Sequence, residues 1–316
     1  MKSIDISEIL DLFPHERIEK NNPSTKVDGV ISIQQTKHEP NPTKISWIND
    51  KTADLVTPTE LILGLLVLTP GAYEKLKTAK CNFLIVSNPR ASFFKIINEY
   101  FASTKRESKI EKTACIHPSC TIGENCYIGH GVVLEEDCVV GKNTVILHNT
   151  CLLAGTQVGD NVTIGCNNTI GNYGFGYEKD EAGDYDVLEH LGRVIIHNSV
   201  EIHNNTCIDR GVLDDTVIHE NVKIDNLVHI AHGVVIERNT LVIANAMVAG
   251  STWIGENSWI APSVSLKNKI KIAPNTFTGI GAVVLKDTAE NQTYIGNPAC
   301  TLEEYKKWSE VKKKLS

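Results

Sequence analysis

The stretch "KIDNLVHIAHGVVI", Lys223 to Ile236, holds two histidines three residues apart with an aspartate shortly before them. An imidazole titrates near neutral pH and can take a proton from an attacking group. A carboxylate on one ring nitrogen fixes the tautomer and leaves the other nitrogen free. A histidine of this stretch could serve as a catalytic base with a neighbour. The same residues could also hold a metal ion or decorate a solvated surface, so their placement decides.

The elements around them repeat every six residues. From Ile116 the chain reads "IHPSCT IGENCY IGHGVV LEEDCV VGKNTV ILHNTC LLAGTQ VGDNVT IGCNNT", and from Ile218 it reads "IHENVK IDNLVH IAHGVV IERNTL VIANAM VAGSTW IGENSW IAPSVS LKNKIK IAPNTF". Neither a strand nor a helix has period six, whereas a coil of short strands joined by turns does. The first and fifth places are expected to point inward as ladders. The third and fourth form corners, which explains their Gly, Asn and Asp. On this frame His232 is a third-place corner residue and His229 a sixth-place outward residue. A polar segment, "EKDEAGDYDVLEHLG", interrupts the repeat and reads as a loop thrown out of a continuous prism. Long loops in compact domains are usually functional. A unit of four shifts the phase near Ile208.

Residues 1–112 differ. "SEILDLF", "TPTELILGLLV" and "PRASFFKIINEYFAS" read as helical or buried segments, and "KVDGVISIQ", "KISWIND" and "CNFLIVS" as strands. They form a small α/β domain before a repeat domain at 113–300 and a terminal helix at 301–316. Of 316 residues 41% are hydrophobic and 22% charged, and the net charge of −7 argues against a nucleic-acid partner. No run approaches a membrane span or a signal peptide, so a cytoplasmic protein is expected. The nine cysteines form no C-x-x-C pair, and Cys120, Cys126 and Cys138 follow the six-residue spacing as core fillers.

The density of sixes resembles the hexapeptide-repeat proteins. That resemblance implies a left-handed parallel β-helix, although crossovers are generally right-handed. It also implies a homotrimer with active sites between neighbouring prisms. "GFGY", "LGRVIIHNSVEIHNNTCIDRGVLDDTVI" and "IDNLVHIAHGVVI" further resemble the UDP-3-O-(3-hydroxyacyl)glucosamine N-acyltransferases of lipid A biosynthesis. The match assigns His232 as catalytic base and Asp225 as its orienting acid. It makes the N-terminal domain the holder of a nucleotide base, through Trp47 and Asn49. Phe175, Gly176, Tyr177 and His190 of the loop, with His229, are expected to line the substrate groove. A second histidine of that family is absent from "SVSLKNKIKIAP". The ending "TGIGAVVLKDTAENQTYIGNPA" is similar to acetyl-CoA-type hexapeptide enzymes. Gly281 and Ala282 would let a pantetheine chain pass, Lys286 would meet phosphates, and Gly250 or Gly233 would supply an oxyanion N–H.

The expected activity is N-acylation of a nucleotide-linked (UDP or dTDP) amino deoxysugar by acyl-CoA, without a metal. The lipid A reaction with acyl carrier protein is the alternative, favoured by Lys306, Lys307, Lys312, Lys313 and Lys314. A hexapeptide carbonic anhydrase using His229 and His232, and a catalytically silent scaffold, are two further classes.

Overall fold

The computed structural model describes residues 3–20, 22, 26–37, 40–102 and 106–315. Contacts divide the chain into two units, Met1–Lys105 and Arg106–Ser316. The boundary falls earlier than residue 112 because Lys109–Ile110 already pairs in parallel with Tyr127–Ile128, as the first rung of the repeat.

In the first unit a five-stranded sheet is built around Asn41–Ile48, Ile62–Leu68 and Lys80–Ile85, which pair in parallel. Arg17–Lys20 closes one edge antiparallel to Lys80–Ile85. "ILGLLVL", expected to be helical or simply buried, is the middle strand. Leu65 and Val67 pack into one apolar cluster and Leu66 and Leu68 into another. A strand covered on both faces loses its alternation and reads as a continuous apolar run. The helix Pro89–Ile96 starts on an Asn88 cap and packs Phe93 and Ile96 into the first cluster.

The second unit is a left-handed parallel β-helix whose three faces carry sheets of eight, eleven and nine strands. Most strands are two residues long, too short to stand alone, so the structure relies on pairing from coil to coil. First-place Ile128, Ile146, Ile164, Ile202, Ile224, Ile230 and Ile254 are all fully buried. Each such burial contributes roughly 1.5–3 kcal/mol. Fifth-place Cys138, Thr144, Thr150, Val162 and Thr240 are equally buried, and the threonine hydroxyls bond carbonyls across the coil, as in Thr150 Oγ1 to Gly165 O at 2.7 Å. The structural reading of Cys126 and Cys138 as core fillers holds, and burial pushes the Cys138 thiol up to about 11.

The fourth place of each turn takes a left-handed backbone. Asn143, Asn161, Asn221, Asn239 and Asn257 all have φ between 54° and 59°. Asparagine tolerates this region better than other side chains. Its amide also bonds the next coil, as in Asn221 Nδ2 to Asn239 Oδ1 at 2.9 Å and Asn239 Nδ2 to Asn257 Oδ1 at 3.3 Å. The same position therefore makes the corner and ties it to its neighbour.

Equivalent residues lie 18 apart in a regular coil, 38 apart across the loop, and 22 apart after it. Both irregularities are absorbed at one corner, and the ladders continue past them: Thr163 pairs with Glu201, which pairs with Lys223. The loop itself is an antiparallel hairpin, Tyr177–Lys179 with Tyr185–Val187. The chain ends in a helix, Leu302–Leu315, opened by a reciprocal cap in which Glu304 Oε2 accepts from Thr301 N at 2.8 Å and Thr301 Oγ1 accepts from Glu304 N at 3.1 Å. Among the described residues no helix is long and apolar enough to cross a membrane.

Replacing Asn239 by Val should destabilise the β-helix by about 1–3 kcal/mol, since a branched residue enters the left-handed region and two amide bonds are lost. Asn239→Gly, which keeps the backbone, should cost less. Urea unfolding of the two variants checks the order; equal costs would assign the effect to the amide bonds alone.

Candidate active site

His232 stands where the strand His229–Ile230 turns toward Val235–Ile236. Its ring is half-buried and lies against the next coil at Gly250. A Cβ on Gly250 would stand 2.6 Å from His232 Cε1 and Nε2, so this close approach requires glycine. On the other side is Gly174, where a Cβ would meet His232 Cβ and Cδ2 at 3.1 Å. Burial, the nearby His190 and the Lys269 ammonium together hold the His232 pKa below its ordinary 6.5. The imidazole is thus kept neutral and basic at neutral pH.

The Gly233 N–H is donated to Thr216 Oγ1 at 2.8 Å. The Gly250 N–H, beside the His232 ring, has no acceptor among the described residues. Of the two glycines considered, Gly250 is the one whose N–H is not committed to an acceptor among the described residues.

Asp225 is not placed beside His232. It lies at the preceding corner of the same coil, where its carboxylate accepts from Asn226 N at 2.8 Å and Ala244 N at 3.2 Å and faces His203 Nδ1 at 3.6 Å. Seven residues exceed one hexad, so the spacing carries the chain around a corner and the expected pair is not made within one protomer.

The carboxylate that faces His229 is Asp209, one coil back, with Oδ2 3.6 Å from His229 Nε2. Burial pushes its carboxyl up to about 6, against the opposing pull of His229 and His190. Asp209 was legible only as part of "CIDRG"; the 22-residue coil that aligns Cys207 with His229 was the signal that would have found it.

The hairpin loop leaves from the same corner and returns His190 to it. His190 is 1% exposed and packs edge-to-face with His232, ring centroids 5.8 Å apart. Tyr173 stacks on its other side at 5.2 Å and bonds Glu189 through its hydroxyl at 2.6 Å. Phe175 and Tyr177 touch each other at 5.0 Å, and Phe175 is 90% exposed.

Third-place residues His232, Gly250, Asn268 and Lys286 follow one another along a single corner. At ~4.8 Å per coil, Lys286 lies roughly 14 Å beyond His232. It is exposed and lines a hollow of about 430 Å³ with Asp287, Tyr294 and Thr301. Nothing lies within 4 Å of a Cβ built on Gly281, but this glycine stands on the corner of Asp225 and not on that of His232 and Lys286. Ala282 is a fifth-place residue buried in the core, so its methyl group cannot line a donor channel. On the terminal helix Lys307 is spent partly on Glu303 at 3.3 Å; the side chains of Lys312, Lys313 and Lys314 lie outside the described residues.

In the first unit, Trp47 borders a hollow of about 540 Å³ with Ile31, Ser32, Gln35, Ser46 and Phe93. The Ser46 hydroxyl is buried there without a partner among the described residues. The Asn49 side-chain oxygen is instead committed to capping Asp50–Ala53, accepting from Thr52 N at 3.1 Å.

The metal reading fares differently from its expectation. Among the described residues, the one cluster with converging donor atoms is His197, His219 and Glu220, within 4.8 Å of one another. It stands at another corner and does not include His229 or His232.

Residues 215–250, which include both histidines, match the family model for the bacterial transferase hexapeptide (six repeats), and residues 105–174 match that for the GMPPB C-terminal domain. The fold is similar to that of a UDP-N-acetylglucosamine acyltransferase from Bacteroides fragilis, at 24% identity and a TM-score of 0.56 over 61% of this chain and 73% of that one. The enzyme of the same name from Campylobacter jejuni is similar at 21% identity and a TM-score of 0.56, over the same shares. That from Francisella novicida gives 21% and 0.56, over 61% and 68%. No curated protein matches. Residues 215–250 thus carry the repeat of the transferase hexapeptide model, and the β-helix fold is shared with these solved structures.

His232 should titrate below 6.5 when followed by imidazole NMR. Lys269→Met removes a positive neighbour and should raise that value toward the ordinary one. No change would mean that burial and His190 alone set it.

Proposed function

We propose that the protein is an acyltransferase that moves an acyl group from a thioester to the amine of a nucleotide-linked amino sugar. The observation that carries this reading is His232, an imidazole kept neutral, lying against Gly250, whose N–H has no acceptor. A base and an oxyanion donor within one ring's reach are what thioester aminolysis needs. His232 takes a proton from the amine as its nitrogen bonds to the acyl carbon. The oxygen gains charge and is met by Gly250 N–H. The C–S bond then breaks, and the imidazolium returns the proton to the thiolate. Asp209 and His229 form the polar wall beside the base.

The acceptor class rests on two supports. The similar structures are named for a UDP-linked sugar. The first unit also offers Trp47, a flat ring beside a hollow with a free Ser46 hydroxyl, as the seat for the base of the nucleotide. For the donor we favour a short acyl-CoA. Lys286 on the His232 corner suits its phosphates. We further propose a homotrimer. Stacked Trp259 and Phe277, 38% and 42% exposed, give one β-helix face an apolar strip that a second copy would cover. Asp225, at a different corner from His232, would then reach a base only across such an interface.

Purified protein supplied with acyl-CoAs of rising length and with UDP- and dTDP-linked amino sugars should release thiol. His232→Ala should lower turnover by roughly two to four orders of magnitude with the fold retained. Thiol release undiminished in a folded His232→Ala variant would remove His232 from the mechanism.

Lys286→Ala should raise KM for acyl-CoA several-fold and leave KM for the sugar nearly unchanged. A strong preference for acyl carrier protein over the matching coenzyme A ester would overturn the donor assignment.

A further inference from the structure

His190 is a fully buried imidazole with one nitrogen unaccounted for. Its Nδ1 is 2.6 Å from the Leu188 carbonyl oxygen. A carbonyl only accepts, so Nδ1 carries the hydrogen and, in the neutral ring, Nε2 presents a lone pair. That Nε2 is buried and has no partner among the described residues. Buried acceptors left unpaired are rare and costly, and one held in a site marks a place for a donor.

The surroundings say where the donor stands. A Cβ on Gly174 would be 3.3 Å from His190 Nε2 and 3.1 Å from His232 Cδ2, so both rings pack closely on this glycine and His190 Nε2 lies on the His232 side of it. Tyr173, stacked on the His190 ring, and the Leu188 carbonyl fix its orientation. The site thus carries two imidazoles at right angles, 85° between planes, each with acceptor capacity.

We propose that His190 is the residue that selects an amine over a hydroxyl as the acyl acceptor; this rests on the acyltransferase reading above. A neutral amine has two N–H bonds and one lone pair. One N–H goes to His232, which removes that proton; the second is donated to His190 Nε2; the lone pair is left aimed at the thioester carbon. The N–C bond forms, the C–S bond breaks, and His232 passes its proton to the leaving sulfur. The hydrogen facing His190 stays on nitrogen as the N–H of the product amide. A hydroxyl has a single O–H. Given to His232, it leaves an oxygen lone pair against the His190 lone pair, and a buried acceptor is again unpaired. Sites built around such a bond discriminate strongly against the acceptor that lacks the donor.

The test uses the full-length protein, one acyl-CoA, and two acceptors identical except that one carries an amine where the other carries a hydroxyl. Wild type should favour the amine in kcat/KM. His190→Ala should shrink the amine-to-hydroxyl ratio by at least about tenfold. His190→Gln, whose amide oxygen can replace the acceptor, should recover most of that ratio, which a packing role would not produce. Equal loss on both acceptors in His190→Ala, with no recovery in His190→Gln, overturns the assignment, as does wild-type preference for the hydroxyl. Wild type that acylates neither acceptor, while a thioester is present, instead overturns the acyltransferase reading itself.

Discussion

The bonds that hold the second unit together run from coil to coil, not along the chain. Each two-residue strand pairs with its equivalents above and below, and the inward aliphatic ladder fills the prism between them. Everything else hangs on that arrangement. Because no coil is stable alone, the sequence must repeat a small set of inward residues. Because the corners contribute little to the core, they are free to vary. Chemistry therefore collects at corners, where a side chain can point outward while its backbone is fixed by two neighbours.

The same arrangement explains how the site is crowded without breaking the fold. The 20-residue excursion before Arg193 leaves from a corner and returns to it, so ladders on either side stay in register. It delivers His190, which a regular coil has no position for. Glycines at positions 174 and 250 leave the room in which two imidazoles come close. Burial above all, with His190 and Lys269 adding to it, lowers the proton affinity of His232, and that keeps the base in its neutral form.

Much of this was readable from the sequence. The period of six predicted the ladders and corners, since inward Ile and small fifth-place residues are dictated by the narrow prism. It also placed His232 outward, and the break in the repeat located the loop. What was not readable depended on the lengths of irregular coils. The family resemblance pairs Asp225 with His232, but the chain turns a corner between them, and the carboxylate beside His229 is Asp209, from the coil below. Ala282, expected to let a pantetheine chain pass close to the backbone, is a fifth-place residue and faces inward. "ILGLLVL" reads as a helical or buried stretch because burial on both faces erases the alternation that marks a strand.

The single corner shared by His232, Gly250, Asn268 and Lys286 works as a graduated scale. Separation along it comes only in whole coils, each about 4.8 Å. Two chemistries on this edge can be moved apart or together by adding or deleting a complete turn, but not by a fraction of one. A ligand that spans them is measured in steps, and evolution along this edge is discrete: a lineage lengthens its reach by duplicating eighteen residues, with each new turn bringing its own core, its own corner and its own hydrogen bonds.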